Sequence, residues 1–511
     1  MSSPIPAAAA TPPPVSYSLD EFSDRISPML VKELRQGLRA KTFVIVFLGL
    51  QALLAVVLLS AIGAASPERA GQTVSTVIFF FFSLAVLIVQ PLRGIGALHN
   101  EIKGNTIDLM VLTRLGAWRI VLGKWVAIVS QSALLLTAIA PYLILRYFFG
   151  RMNLFAELNL LALVFIGSAV FTALTVGLSA IPSILIRGLL PLIFAVYLGG
   201  GIFAISFESR GGFSELIEFC SLQETGSGWV LLGGLVAAAY FGWSALALGA
   251  SMIAPMAENH SSVRRLVALA AVGAFAIVAA IADFSREALG PILLLFCAPA
   301  IAIALTEPLQ LLPPVCRPFL RFGAAGKLAG RFFYPGWPSG VLFTGLLIAL
   351  GTFVILNHMS ASRPHGWHFE PRFQIMMLGS LGTLLLPGLV MRMFPRKLPQ
   401  TFAIYLLILA VLIAIAIGLA IVADEVDDGS FLWAFAWVPP VQFNLLDQVR
   451  RAHYGSYGGS SGTNPDFLPL LVTGMATCAL YYLGLLLCAV RNFRFIREVE
   501  AEAATPTPGD P

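Results

Sequence analysis

Six charged side chains are concentrated in residues 100–125 of a chain in which only 12% of the residues are charged. The segment reads NEIKGNTIDLMVLTRLGAWRIVLGKW and lies between two long apolar runs, residues 74–92 and 125–145. A plain connection between two apolar helices needs only turn residues. This composition therefore indicates a segment that binds something, through the charged residues Glu101, Lys103, Asp108, Arg114, Arg119 and Lys124.

The middle of the segment predicts a helix of about two turns. Gly104 interrupts the preceding helix, and Asn105 or Thr106 can accept hydrogen bonds from the free amides of a new N-terminus. Asp108 then falls in the first turn, where the helix dipole favours a negative charge, and Gly116 is placed to end the helix. Residues three or four apart share one face, which here contains Ile107, Met110, Val111 and Arg114.

Two interpretations fit this short helix. An apolar face flanked by Lys and Arg can lie flat among lipid headgroups. The same face can instead dock into a groove of a partner protein on its own side of the membrane. The local pattern does not choose between them.

The rest of the chain is dominated by apolar runs. Of its 511 residues, 58% are hydrophobic, and a hydrocarbon layer of about 30 Å needs about 20 apolar residues of helix. Backbone amides find no water inside lipid, so long apolar runs span as helices. The sequence predicts an all-α polytopic integral membrane protein with about twelve spans: 43–63, 74–92, 125–145, 160–181, 188–205, 229–252, 266–282, 289–305, 341–356, 373–390, 402–423 and 468–490.

An amphipathic helix is predicted before the first span, over residues 27–39 (SPMLVKELRQGLR). Ser27 can cap it and Pro28 suits its first position. Leucines recur every four residues, and the opposite face is expected to contain Lys32, Glu33, Arg35 and Arg39. Such a helix lies in the membrane interface and turns into the span that follows.

The distribution of Lys and Arg predicts the orientation. With the N-terminus inside and the spans alternating, most of the 32 basic residues fall in inner segments, as the positive-inside rule requires. Residues 93–124 and both termini are then cytosolic. The Pro- and Ala-rich residues 1–18 and the C-terminal residues 499–511 are expected to be disordered tails.

No catalytic or metal constellation is predicted. His365, His368 and Glu370 (HGWHFE) are interpreted as a solvated loop, because no further ligand cluster follows. The stretch GAAGKLAG, residues 323–330, has Arg321 at the first glycine position of a phosphate-binding loop and Leu328 at its hydroxyl position, so a Gly/Ala-rich inner loop is expected. The five cysteines show no disulfide or metal spacing.

Two stretches carry a resemblance to a known family. SPMLVKELRQGLRAKTF is similar to the N-terminal elbow helix of type-2 exporters among the ABC transporter permeases, and EIKGNTIDLMVLTRLGAWRIVLGKW resembles their signature loop. That loop has an acidic residue before Gly-Thr, then an apolar helix, then Gly-Lys opening the next span. Asn105 interrupts the Gly-Thr pair, and the matching positions are Glu101, Gly104, Thr106, Leu109, Leu112, Gly123 and Lys124.

The resemblance covers about the first half of the chain and implies a division of labour. Residues 19–255 would form a six-helix permease domain, and residues 256–498 a second, diverged or appended membrane domain. The loop helix would dock on a separate cytosolic ABC ATPase, which binds ATP and Mg²⁺, so this chain would hold no cofactor and catalyse nothing itself. The contacts would come from Glu101, Gly104, Thr106, Ile107, Asp108, Met110, Val111 and Arg114, with Lys32, Glu33 and Arg35 in the elbow helix.

The expected function is thus the membrane subunit of an ATP-driven exporter in a bacterial cytoplasmic membrane. It would work among membrane lipids as a homodimer or with a partner permease, and without nucleic acid. The alternatives are an ion-coupled secondary carrier and a membrane assembly factor without transport. The predicted spans lack ionisable residues well inside their ends, which argues against the carrier, although backbone carbonyls can also hold sodium.

Overall fold

The chain folds into helices throughout the part that the structure describes. The structure is a computed structural model and describes residues 28–62, 67–104, 116–147, 153–208, 212–223, 226–255, 259–282, 286–361, 371–395, 399, 401–425, 429–454 and 467–504. These ranges contain no β-strand, and they include twelve helical spans long and apolar enough to cross a membrane. The protein is an all-α polytopic membrane protein, which confirms the predicted fold class.

The described part of the first half contains six spans and three short α-helices. The spans are α2 (Lys41–Ile62), α3 (Pro67–Ser83, continued by Leu84–Val89 and Gln90–Leu92), α5 (Ala117–Tyr147), α6 (Leu154–Leu178), α7 (Leu190–Phe203, with Leu185–Leu189 before it and Ala204–Glu208 after it) and α9 (Ser227–Ile253). The short helices are α1 (Pro28–Leu38), α4 (His99–Lys103) and α8 (Gly212–Cys220). The predicted amphipathic helix is thereby confirmed as α1, although Ser27 lies outside the described residues.

The second half, where it is described, also contains six spans and three short α-helices. The spans are α10 (Ser261–Ile281), α11 (Arg286–Thr306), α14 (Trp337–Ala361), α15 (Pro371–Met393), α16 (Phe402–Glu425) and α18 (Leu468–Ala504). Between them lie α12 (Pro313–Leu320), α13 (Gly323–Phe333) and α17 (Val441–Tyr454). The loop expected at residues 323–330 is wrong, because this stretch is the helix α13. The tail expected from residue 499 is also wrong up to Ala504, since α18 continues to that residue.

The two halves repeat one pattern of helix packing. In each half the fourth span, α6 or α15, packs against the second and the sixth spans. The third span, α5 or α14, packs against the first and the sixth, and the short helix before the sixth span packs on the fourth. One difference stands out: α5 packs closely on α6, whereas α14 packs mainly on α11.

Successive spans alternate in direction, so one end of the bundle collects most of the basic side chains. This end contains α1, α4, the start of α5, the connection between α9 and α10, the helices α12 and α13, and the last turns of α18. We call it the basic end. At about 1.5 Å per residue, the 37 residues of α18 extend to about 55 Å, well beyond a hydrocarbon layer of about 30 Å.

Hydroxyl groups on α6 donate hydrogen bonds to backbone carbonyls in a distorted part of α3. The segment Leu84–Val89 is π-helical, so a residue bonds to the carbonyl five positions earlier. In that register Pro91 would bond Val86 O, but proline has no N–H. Ser168 Oγ donates to Val86 O at 2.7 Å instead, and Thr175 Oγ1 donates to Pro91 O at 2.7 Å.

Small residues allow the closest helix crossings. A Cβ added to Gly177 of α6 would lie 2.1 Å from Ala245 O of α9, and one added to Gly340 of α14 would lie 2.0 Å from Ala304 O of α11. Neither position has room for a side chain. Close backbone approach at small residues is a main source of helix association in membranes, where lipid is as apolar as the side chains.

Gly177→Val should therefore weaken the first half. The added side chain would push α6 away from α9, at a cost of about 1–3 kcal/mol for overpacking. We expect a lower melting temperature for the detergent-solubilised protein, measured by thermal unfolding. Gly234→Val is the matched control, because nothing lies within 4 Å of a Cβ at Gly234. Equal melting temperatures for the two variants would contradict this packing.

Candidate functional site at the basic end

A buried ion-pair cluster joins three elements at the basic end. Lys124 Nζ of α5 lies 3.0 Å from Glu33 Oε1 of α1 and 3.0 Å from Glu101 Oε1 of α4. The three side chains are 7%, 17% and 18% exposed, respectively. Removing one partner of a buried pair leaves an uncompensated charge and costs about 3–5 kcal/mol. The ammonium group therefore holds the N-terminal helix, the start of residues 100–125 and the third span together.

A second set of contacts fixes the end of α1. Arg93, at the end of α3, donates to Gln90 Oε1 at 2.8 Å, to Gln131 Oε1 of α5, and to Gly37 O at 3.4 Å. Its guanidinium also lies 5.9 Å from the ring centroid of Phe43. A Cβ at Gly37 would lie 2.1 Å from Gln131 Nε2, so a larger residue here would have to displace the Gln131 amide that Arg93 binds.

The outward face of α1 differs from the prediction at one position. Lys32, Arg35 and Arg39 are exposed, as expected. Glu33 was expected on the same face, but it points to Lys124 and is mostly buried. The error arose because amphipathic spacing treats every charged residue as outward, whereas a buried partner can draw a carboxylate inward. The exposed face of α1 is thus more basic than its sequence suggested.

The predicted docking helix lies outside the described residues. Thr106, Ile107, Asp108, Met110, Val111 and Arg114 all fall in residues 105–115, so their placement stays a prediction. The two flanks are described: Gly104 follows the last turn of α4, and Gly116 precedes α5. Glu101, expected to contact an ATPase, bonds within the chain to Lys124. We therefore assign it a positioning role.

The second half has a packed surface in the corresponding place, between its second and third spans. Helices α12 and α13 pack against each other, and α12 packs on the last turns of α18 through Cys316, Ile496 and Val499. Arg331 Nη2 of α13 pairs with Glu500 Oε2 of α18 at 3.2 Å. The outer face of α13 exposes Leu328, and Phe322 is exposed just before it.

An arginine pair that the sequence pattern did not predict lies where the halves meet. Arg265 of α10 is 2% exposed, and its Nη2 lies 2.5 Å from Glu307 Oε2. Arg264 lies beside it, with Nη2 3.0 Å from Glu307 Oε1. In the sequence, the adjacent arginines at residues 264 and 265 indicate only which side of the membrane this connection faces. Only the fold shows that one carboxylate, contributed by a residue 42 positions away, serves both of them.

Possible metal ligands are scattered in the described part of the chain. Within it, no group of three or more His, Cys, Asp and Glu residues is arranged to hold a metal ion. His365, His368 and Glu370 lie outside the described residues. The polar residues Gln131 and Asn159 serve helix contacts: Gln131 accepts from Arg93, and Asn159 Nδ2 donates to Cys220 O at 3.0 Å.

Comparison with known proteins adds no relative. No protein-family model, curated protein or solved structure matches this chain.

Lys124→Met should destabilise the basic end of the first half. It would take the ammonium group away from the neighbouring carboxylates of Glu33 and Glu101, and we expect a loss of about 3–5 kcal/mol. Adding Glu33→Gln and Glu101→Gln to the same protein should recover part of that loss, because it removes the repulsion. Thermal unfolding in detergent measures both changes.

Lys103→Met is the control for the Lys124→Met substitution. Lys103 is exposed at the same end, so its loss should change stability by no more than about 0.5 kcal/mol. The cluster is contradicted if Lys124→Met behaves like Lys103→Met, or if the two Gln substitutions make the Lys124→Met protein less stable still.

Proposed function

We propose that this chain is the membrane subunit of an ATP-driven exporter of the ABC class, moved by a separate cytosolic ATPase. The observation that supports this best is the cluster of Lys124, Glu33 and Glu101. It joins the three elements whose sequences resemble the elbow helix, the signature loop and the Gly-Lys start of a type-2 exporter. In this proposal ATP and Mg²⁺ bind to the ATPase and not to this chain.

The cluster holds in place the two helices that flank residues 105–115, which we call the docking segment. Residues 105–115 begin after α4 and end at α5, and both flanking helices contribute a charged group to the cluster. A push on the segment would reach α5 and α1 together, because separating buried charges costs several kcal/mol. Ile107, Met110 and Val111 would supply the apolar contact, and Asp108 and Arg114 the polar contacts.

The second half is proposed to supply the second permease unit. Apart from the third span, its spans pack in the same order as those of the first half, and α12 with α13 lies between its second and third spans, as residues 105–115 do in the sequence of the first half. Phe322 and Leu328 would give this second surface an apolar contact with the ATPase. An exporter of this class needs two units around its path, and the repeat allows one chain to contribute both.

A crosslinking experiment tests the partner. A photo-reactive amino acid at Met110 of the full chain, expressed in its own host, should crosslink to a protein that mass spectrometry identifies as an ABC ATPase with a phosphate-binding loop. Met110→Asp or Val111→Asp should abolish co-purification of that ATPase, because an acidic group cannot enter an apolar groove without losing its hydration.

Phe394→Asp is the matched control, since it makes the same kind of change at an exposed apolar residue of the basic end outside the segment. It should leave co-purification unchanged. Crosslinks to lipid alone would favour the interfacial helix. Transport that follows an ion gradient after every ATPase partner is deleted would favour the secondary carrier.

Thiol labelling tests the side of the membrane. The proposal places the basic end and both termini in the cytoplasm of a bacterial cell. Gln36→Cys puts a thiol on the exposed face of α1. A membrane-impermeant maleimide should label it in inside-out vesicles and not in intact cells; the opposite pattern would overturn the orientation.

The native cysteines should give little background in that assay. Cys220, Cys297, Cys316 and Cys478 are buried, and Cys488 lies half-buried within a span. Burial also raises the pKa of Cys316 to about 11 and raises that of Cys220. Both thiols therefore stay protonated at neutral pH, and the thiolate is the form that reacts. The unsubstituted chain serves as the control.

A further inference from the structure

A half-enclosed cavity of about 430 Å³ lies where the two halves meet at the basic end. We call it the seam cavity. Its walls come from α9 and α10, from the end of α11, and from the start of α16. It continues into a void of about 20 Å³ that shares Arg264, Ile303 and Glu307 with it and is also lined by Arg265. A void of that size holds about one water molecule.

The charges of the described residues that line the seam cavity do not balance. Two guanidinium groups, those of Arg264 and Arg265, share the single carboxylate of Glu307, which leaves one positive charge. Among the described residues that line the cavity, Glu307 is the only acidic one. A buried positive charge without a counter-ion is costly in a medium of low dielectric constant.

The two arginines differ in which cavity they face. Arg265 lines only the small void; it also donates to Phe332 O at 2.8 Å and to Gly336 O at 3.1 Å, and its Nε is buried without a hydrogen-bond partner among the described residues. Arg264 lines the seam cavity itself, and besides Glu307 it donates to Ser251 Oγ at 2.8 Å and to Ser261 Oγ at 3.4 Å. Its Nε is buried without a hydrogen-bond partner among the described residues. The excess charge is therefore presented by Arg264, next to open space.

The walls of the seam cavity indicate what kind of anion fits. Leu248, Met252, Ile303, Leu312 and Phe402 give it an apolar rim, and Met252 and Leu312 remain partly exposed. The apolar side continues along the junction of the halves, where Leu248 packs with Ile303, Phe402 and Leu406. A free inorganic anion would gain nothing from these side chains. An amphipathic anion would use both the charge and the rim.

We propose that the seam cavity binds the phosphate headgroup of an anionic phospholipid from the leaflet at the basic end. Arg264 is the anion-binding residue, and the acyl chains lie against the apolar rim between α9 and α16. The bound lipid fills the junction of the two halves. This site is independent of the proposed exporter function, because it rests only on the junction of the halves.

Native mass spectrometry of the full chain in detergent tests the site, with phosphatidylglycerol and phosphatidylcholine of equal chain length as probes. Phosphatidylglycerol should bind preferentially at one site. Arg264→Gln should weaken that binding by about tenfold, the effect of losing one charge-assisted hydrogen bond of about 1.4 kcal/mol. Glu307→Gln should strengthen it, because the cavity then has a second excess positive charge. Misfolding cannot explain opposite changes in two variants.

Arg494→Gln is the matched control. Arg494 lies on α18 at the same end, is 90% exposed and pairs with Glu498, so it removes the same charge away from the cavity. It should leave phosphatidylglycerol binding unchanged. The proposal is overturned if Arg264→Gln and Arg494→Gln behave alike, or if phosphatidylcholine binds as tightly as phosphatidylglycerol.

Two further measurements test whether something other than a lipid neutralises Arg264. Inorganic phosphate should fail to displace phosphatidylglycerol at equal concentration; displacement would identify a soluble anion as the occupant. Glu258 belongs to the connection between the halves and lies outside the described residues. Glu258→Gln should leave lipid binding unchanged. An increase as large as that of Glu307→Gln would show that the chain neutralises Arg264 itself and would overturn the proposal.

Discussion

The attraction between one ammonium group and two carboxylates organises the basic end of the first half. Lys124 sits at the start of a span, where the chain enters the membrane, and it binds Glu33 from before the first span and Glu101 from after the second. Two carboxylates this close would repel each other in its absence. The cluster therefore makes the positions of α1, α4 and α5 depend on one another, although its three charged residues lie far apart in the sequence.

Within the membrane, the structure depends on a different constraint: every backbone polar group needs a partner. The π-helical turn of α3 and the proline after it leave carbonyls without their usual donors. The hydroxyls of Ser168 and Thr175 on α6 supply those bonds, and Ser179 Oγ accepts from Leu98 N at 3.0 Å. These residues recur at helical spacing on one face of α6. The distortion of α3 is tolerated because the neighbouring helix α6 supplies the missing hydrogen bonds.

The sequence predicted those features that depend on local chemistry. Twelve apolar runs, the amphipathic α1 and the break at Gly104 follow from hydropathy, spacing and backbone freedom, and all are present. Prediction from the sequence failed where contacts between residues far apart in the chain determine the position of a side chain. Nothing in the spacing of Glu33 shows that Lys124, 91 residues later, turns it inward. The same holds for Glu307, whose burial between two arginines depends on how α10 and α11 pack, and for α13, which is helical although rich in glycine.

The distribution of these contacts indicates where the molecule can move. The basic end is tied by ion pairs in both halves: Lys124 with its two carboxylates, Glu307 with two arginines, and Arg331 with Glu500. The fifth spans, α7 and α16, are the least buried of the twelve. They touch each other at the segment Leu185–Leu189 and otherwise present apolar side chains outward. Weakly packed elements open at low free energy. Among the described helices, those that the ion pairs join are therefore the most firmly connected part of the basic end, and α7 and α16 are the spans least covered by the rest of the chain.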